Sequence, residues 1–159
     1  MKNTLQPSAI YIQRAGFAEL SLTQFYALAE LRQDVFIVEQ QSIYGDLDGL
    51  DSEAKHFLCW SSTQADAQLI GYARYRVCAA QEQIKIERVV LAAAARGQGV
   101  GKLIMQTILQ DIDVQHVGAQ ISLSSQVAAQ TFYQALGFVA QGESYDDGGI
   151  EHITMYYQG

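Results

Sequence analysis

The chain has 159 residues, of which 49% are hydrophobic and 17% charged, and its formal net charge is −7. That length fits one domain spanning residues 1–159 and able to bury a core, and the apolar content excludes a disordered chain. The acidic balance disfavours a nucleic-acid partner, which needs a basic face, and the longest apolar stretch, residues 89–95, is far shorter than the roughly 20 residues of a membrane span.

Along the chain, the N-terminal MKNTLQPSAIYIQRAG lacks an apolar core and a cleavage signal, so secretion is not expected. Residues 9–14 alternate and predict a short strand. Residues 22–40 space Phe25, Leu28, Leu31, Val35 and Phe36 as one helix, with Thr23 as its N-cap. Residues 41–53 read as an acidic loop. Residues 55–61, 69–78 and 83–91 predict three strands of an antiparallel meander. Alternation in the last of them groups Ile84, Ile86, Arg88 and Val90 on one face, against Lys85, Glu87, Val89 and Leu91 on the other.

Residues 97–112 switch to a helical period, with Val100, Leu103, Ile104, Thr107 and Ile108 on one stripe. A strand follows at 119–125, then a short helix at 126–136 stopped by Gly137 as a left-handed cap. Strands at 138–141 and 152–157 complete the pattern. The order β-α-β-β-β-α-β-α-β-β is that of an α/β fold, a mixed sheet with helices on both faces. Cys59 and Cys78 form no disulfide framework and no metal-ligand spacing. They read as buried thiols of a reduced, cytoplasmic protein without a metal site.

The charge is unevenly spread. Glu39, Asp46, Asp48, Asp51 and Glu53 share one short stretch, and Glu143, Asp146, Asp147 and Glu151 another, with no Lys or Arg inside either. Two readings stay open: solvated, turn-rich loops, or a negative rim that draws a cationic substrate. A calcium loop is excluded, because Gly49 falls at the fourth place from Asp46 and no Glu closes a 12-residue loop.

The most informative segment is Leu91-Ala-Ala-Ala-Ala-Arg96-Gly97-Gln98-Gly99-Val100-Gly101-Lys102, where a strand runs through a glycine-rich turn into an amphipathic helix. Glycines admit a ligand close to the backbone, and the free N–H groups at a helix start form an anion site. G-x-G-x-G is one residue short of a dinucleotide fingerprint, and the P-loop spacing fails at Arg96 and Leu103.

Arg96-x-x-Gly99-x-Gly101 resembles the acetyl-CoA-binding motif of the GNAT N-acetyltransferase superfamily, Q/R-x-x-G-x-G/A. Downstream, Gln126-Val-Ala-Ala129-Gln-Thr-Phe132-Tyr133-Gln-Ala-Leu-Gly137-Phe138 is similar to its N-x-x-A-x-x-F-Y-x-x-x-G-F segment, with Gln126 where Asn is usual. Leu31-Arg32-Gln-Asp-Val35-Phe36-Ile-Val-Glu39-Gln40, Tyr44-Gly-Asp46-Leu-Asp48-Gly49-Leu-Asp51, His56 and the run from Tyr145 to Met155 resemble the ElaA-type branch. Together these cover residues 20–157.

The resemblance implies direct transfer of acetyl from acetyl-CoA to a primary amine of a small-molecule or peptidyl acceptor, cationic if the acidic rim is real. It implies that the N–H groups of Gly97, Gln98, Gly99, Val100, Gly101 and Lys102 hold the pyrophosphate, with charge from Arg96 and Lys102. Val89, Val90 and Leu91 would pair with the pantetheine as a neighbouring strand does, and one N–H there would polarise the thioester carbonyl. Gln126 would contact the same arm, and Tyr133 takes the position of the general acid that protonates the departing thiolate. Glu39, Glu87 and His152 are the candidates for the base, Glu39 being favoured as an amine-site residue. A homodimer through the C-terminal strands is common in the family. The rival readings are an acyl-homoserine-lactone-synthase-like acyltransferase and a non-catalytic acetyl-CoA-binding sensor.

Overall fold

The computed structural model describes residue 5 and residues 9–78 and 82–159. Part of the N-terminal segment read above for a secretion signal, and most of the turn after residue 78, lie outside the described residues.

Among the described residues seven strands make one sheet: β1 (Tyr11–Gly16), β2 (Ala54–Trp60), β3 (Leu69–Cys78), β4 (Gln83–Leu91), β5 (Gln120–Gln126), β6 (Phe138–Asp147) and β7 (Ile150–Tyr157). Their spatial order is β1-β2-β3-β4-β5-β7-β6, and among the described residues only β4 and β5 run parallel. Three α-helices, α1 (Leu22–Arg32), α2 (Val100–Gln115) and α3 (Gln130–Gln134), complete the element order expected from the sequence. On one face α2 buries Val100, Ile104, Met105 and Ile108 against Phe57, Tyr75, Ile84 and Ile86, and Tyr133 of α3 joins that cluster. On the other face α1 packs Leu28 and Leu31 on Leu58, Tyr72 and Val90.

Element bounds shift by a few residues from the sequence reading throughout, and three of the differences have an evident local reason. The cap of α1 is Ser21, not Thr23: its hydroxyl accepts from Gln24 N at 3.1 Å while the Gln24 side chain accepts from Ser21 N, a reciprocal capping box. The helix predicted to run to residue 40 stops as α-helix at Arg32 and continues as a π-helical stretch, Gln33–Glu39. Phe36 and Glu39 of this wider turn, with Gln40 after it, line the cavity described below. The last two strands are longer than expected, because the acidic run before Gly148-Gly149 is itself paired, Tyr145 with His152 and Asp147 with Ile150. Among the described residues no helix is long and apolar enough to cross a membrane.

Candidate active site

The two parallel strands part company. β4 and β5 are in register only from Gln83↔Gln120 to Ile86↔Leu123. Beyond that, Glu87, Val90 and Leu91 pair with β3 alone and Ser124 to Gln126 with β7 alone. A gap at the carboxyl ends of parallel strands is where open α/β sheets take ligands. Here it is a cavity of about 1080 Å³, just above the range of roughly 300–1,000 Å³ for drug-sized molecules.

A β-bulge sets the direction of the β4 edge. The β3–β4 register passes from Arg74↔Glu87 to Tyr72↔Val90, so Arg88 is an extra residue. Its φ is +58°, left-handed and unusual for a side chain of this size. The bulge overturns the expected face: Ile84 and Ile86 lie on the α2 side, Val90 lies on the α1 side, and Val89 and Leu91 turn to the α2 side. Ala92 N donates to Ile70 O at 2.9 Å, which fixes the alternation. Val90 therefore also directs its backbone polar groups to β3, and the N–H and C=O groups of Val89 and Leu91 point into the gap.

The same edge leads into the glycine turn. Gly97 and Gly99 have φ of +72° and +78°, and Gly99 caps α2 with nothing within 4 Å of where a Cβ would stand. Left-handed backbone favours glycine here, and the first amides of α2 remain free for an anion. Of the residues expected to bind cofactor, Val89, Val90, Leu91, Arg96, Gly97, Gly99, Val100, Gly101, Lys102, Gln126 and Tyr133 all line the cavity. Gln98 does not line it: its side chain turns away to donate to Ala94 O and accept from Leu5 N. A free strand edge, an amide cradle at a helix start and a long cavity joining them fit a ligand with amide and pyrophosphate groups, as coenzyme A has.

Tyr133 is buried, packed edge-on against Phe132 and Phe138. Burial pushes its phenol well above the ordinary tyrosine range, so it stays protonated. The opposite wall comes from β5, β6 and β7. Ser124 and Tyr145 share a hydroxyl hydrogen bond, Tyr145 stacks on His152, and Gln126 donates to Gln40 Oε1 at 2.9 Å. His152 Nδ1 lies 2.7 Å from Ile150 O. A carbonyl only accepts, so Nδ1 carries a hydrogen, and in the neutral ring the lone pair is on Nε2.

The other two candidate bases are tied down. Glu39 forms a fork with Arg96, at 2.6 and 2.9 Å, and the hydrogen bond from Arg96 lowers its pKa. Glu87 accepts from Arg74 and Arg76; burial opposes its ionisation, but those guanidiniums outweigh burial and hold it below the usual range.

In the first acidic stretch Asp46, Asp48 and Asp51 are held by arginines and form no free negative rim, although Glu53 and much of the loop are exposed. Arg32, with no exposed surface, reaches Asp46 Oδ2 at 2.8 Å and Asp51 Oδ1 at 2.7 Å. Arg74, equally buried, reaches Asp48, Asp51 and Glu87 at 2.6 to 2.9 Å. Arg88 donates to Asp46 O and Asp48 Oδ2, with its Nε 2.9 Å from Asp46 Oδ1, a charge contact toward which the N–H is not directed. Burial opposes charge on Asp48 and Asp51, yet hydrogen bonds from Arg74 and Arg32 keep both below the usual carboxylate range. His56 joins the lattice through Tyr72 O–H at 2.6 Å and Asp51 O at 2.8 Å, and burial lowers its pKa. Asp147, from the second acidic stretch, lines the cavity.

Sequence reasoning missed Arg32, Arg74 and Arg88 as members of this site. The signal was present: Arg74 sits inside the apolar strand LIGYARYRVC, where a buried guanidinium demands carboxylates from elsewhere. Among the described residues no group of His, Cys, Asp and Glu is arranged to hold a metal ion.

A family model described as an acetyltransferase (GNAT) domain matches residues 13–158. Protein ElaA of Escherichia coli strain K12 is 37% identical over 141 residues, covering 87% of this chain and 90% of its own. Among solved structures, an acyl-CoA N-acyltransferase from Pseudomonas aeruginosa superposes with a TM-score of 0.85 at 36% identity, covering 94% of this chain and 99% of that one. The crystal structure of Escherichia coli ElaA superposes with a TM-score of 0.84 at 35% identity, with the same coverage.

Proposed function

The chain belongs to the GNAT acetyltransferase family, in its ElaA-like branch, and from that premise, which implies acyl-CoA-dependent acyl transfer, we propose that it passes acetyl from acetyl-CoA directly to a primary amine of a small-molecule or peptidyl acceptor. The observation that carries this reading is the unpaired β4 edge running into the amide cradle, with the Tyr133 phenol on the same cavity.

Acetyl-CoA supplies an acyl group already activated as a thioester. The amides at the start of α2, with Arg96 and Lys102, hold the pyrophosphate, aided by the helix dipole. The Val89 and Leu91 edge orients the pantetheine amides, and the Val89 N–H stabilises charge developing on the acyl oxygen. His152 is the base we favour, since its Nε2 is free while Glu39 and Glu87 are committed to arginines. As the amine nitrogen bonds to the acyl carbon and the carbon–sulfur bond breaks, one proton leaves nitrogen for His152 and another passes from Tyr133 to sulfur. The acceptor approaches across the Tyr145–Ile150 hairpin, past Tyr44 and Asp147.

Thiol release from acetyl-CoA, followed against a panel of amines, tests the reading. Turnover that falls about 10²-fold or more in Tyr133→Phe, with coenzyme A affinity kept, supports it. Tight acetyl-CoA binding with no thiol release for any amine replaces it with a sensor.

A further inference from the structure

The buried arginine–carboxylate lattice takes no part in the transfer chemistry, yet it converges on the bulge that directs the β4 edge. We propose that the loop carrying Asp46 and Asp48 is a positioning device: locked in place by Arg32 and Arg74, it clamps Arg88 in its left-handed conformation and so aims the Val89 N–H into the cleft. This deepens the acyltransferase reading and rests on it.

Four contacts hold the Arg88 guanidinium. Nη2 donates to Asp46 O at 3.2 Å and to Asp48 Oδ2 at 3.3 Å, Nε stands 2.9 Å from Asp46 Oδ1, and the group lies over the Tyr44 ring at 5.3 Å. Tyr44 is itself fixed, its hydroxyl donating to Asp46 Oδ1 at 2.9 Å. The carboxylates that grip Arg88 cannot drift, because Arg32 and Arg74 have no exposed surface and bind the same two aspartates from behind. A glycine would adopt φ +58° without strain. An arginine adopts it here because its side chain is anchored on the loop. If the anchor is lost, Arg88 relaxes to ordinary extended backbone, the bulge dissolves, and the alternation that turns Val89 toward the cleft is lost with it.

Two substitutions separate backbone shape from guanidinium charge. Arg88→Ala removes the clamp and disfavours the left-handed conformation; Arg88→Gly removes the clamp but leaves that conformation open. The probe is acetyl-CoA carrying a carbon-13 carbonyl, read by infrared difference spectroscopy without acceptor, alongside the Kd for coenzyme A. In the unaltered protein the bound carbonyl band lies below its free frequency. In Arg88→Ala it returns toward the free value and thiol release falls about 100-fold, the loss typical of one displaced oxyanion donor. In Arg88→Gly most of the downshift is retained. Coenzyme A, which lacks the acetyl carbonyl, binds both variants within about twofold of the unaltered protein, a sign that the fold and pyrophosphate cradle persist.

An unchanged band in Arg88→Ala overturns the proposal. So does equal loss in both variants, which would assign the effect to the guanidinium itself. If the unaltered protein fails to bind acetyl-CoA, the acyltransferase reading fails first and the positioning role falls with it.

Discussion

Replacing Arg74 with methionine tests whether the lattice is structural. Arg74 has no exposed surface, and its guanidinium donates to Glu87 at 3.0 Å, to Asp51 at 2.7 Å and to Asp48 at 3.1 and 2.6 Å. After truncation no carboxylate is wholly orphaned. Asp51 keeps Arg32 at 2.7 Å, Glu87 keeps Arg76 at 2.8 Å, and Asp48 keeps the Leu50 N–H at 3.0 Å. Removing one partner of a buried ion pair costs about 3–5 kcal/mol, and these surviving partners argue for the lower end. A loss of about 3 kcal/mol lowers Tm by roughly 6–12 °C in a domain of this size. Urea unfolding measures it, at pH 7 and then stepwise to pH 3. The sign of the pH effect follows from the depressed pKa values of Asp48, Asp51 and Glu87. Their stabilisation is fully present above the unfolded values near 4 and is lost as pH falls through the folded ones. Arg74→Met raises those folded values, so its stability curve converges on that of the unaltered protein at low pH. A loss below about 1 kcal/mol at pH 7, or a gap that stays constant to pH 3, refutes the reasoning.

Two further outcomes follow from single contacts. Burial depresses His56, so its contribution is complete above the unfolded value near 6.5 and declines as pH falls toward the folded one; the fall in Tm that begins below about pH 6.5 should be absent in His56→Gln, as thermal melts across pH 5–8 will register. Glu39 competes with any phosphate for Arg96, so Glu39→Gln should tighten coenzyme A binding, by no more than about fivefold because the pair is exposed; calorimetry giving unchanged affinity would assign Glu39 to the acceptor side instead.

The element order was legible because each switch of hydrophobic period is clean, most clearly where the strand ending at Leu91 gives way to the stripe Val100, Ile104 and Ile108. The glycine turn was legible because left-handed backbone has few tolerant residues, and Gly97 and Gly99 announce it. The bulge was not, since Arg88 carries none of the usual marks of a positive φ, and one inserted residue inverted the predicted faces of Val89, Val90 and Leu91. Nor was the destination of the acids. Asp46, Asp48 and Asp51 lie in a stretch without bases, and their partners Arg32, Arg74 and Arg88 come from one helix and two strands distant in sequence. Local charge patterns describe a surface only when the partners are also local.

That pairing changes what the net charge of −7 means. The described structure pairs every arginine with a carboxylate: Arg14 with Asp111, Arg96 with Glu39, and Arg32, Arg74, Arg76 and Arg88 within the lattice. The cations lining the cavity outside such pairs are the lysines, Lys85 and Lys102. On the proposed reading an anionic cofactor would be met chiefly by fixed dipoles, the amides and N-terminus of α2, which cost nothing to reorganise when a ligand arrives. On the same reading Arg96 would add its charge by leaving Glu39, an exchange that would free a carboxylate on the π-helical wall of the cavity. Excess acid and affinity for a polyanion are then compatible: the acids pair with arginines around the strand edge, and the pyrophosphate would be met mainly by backbone dipoles, with Arg96 and Lys102 adding to them.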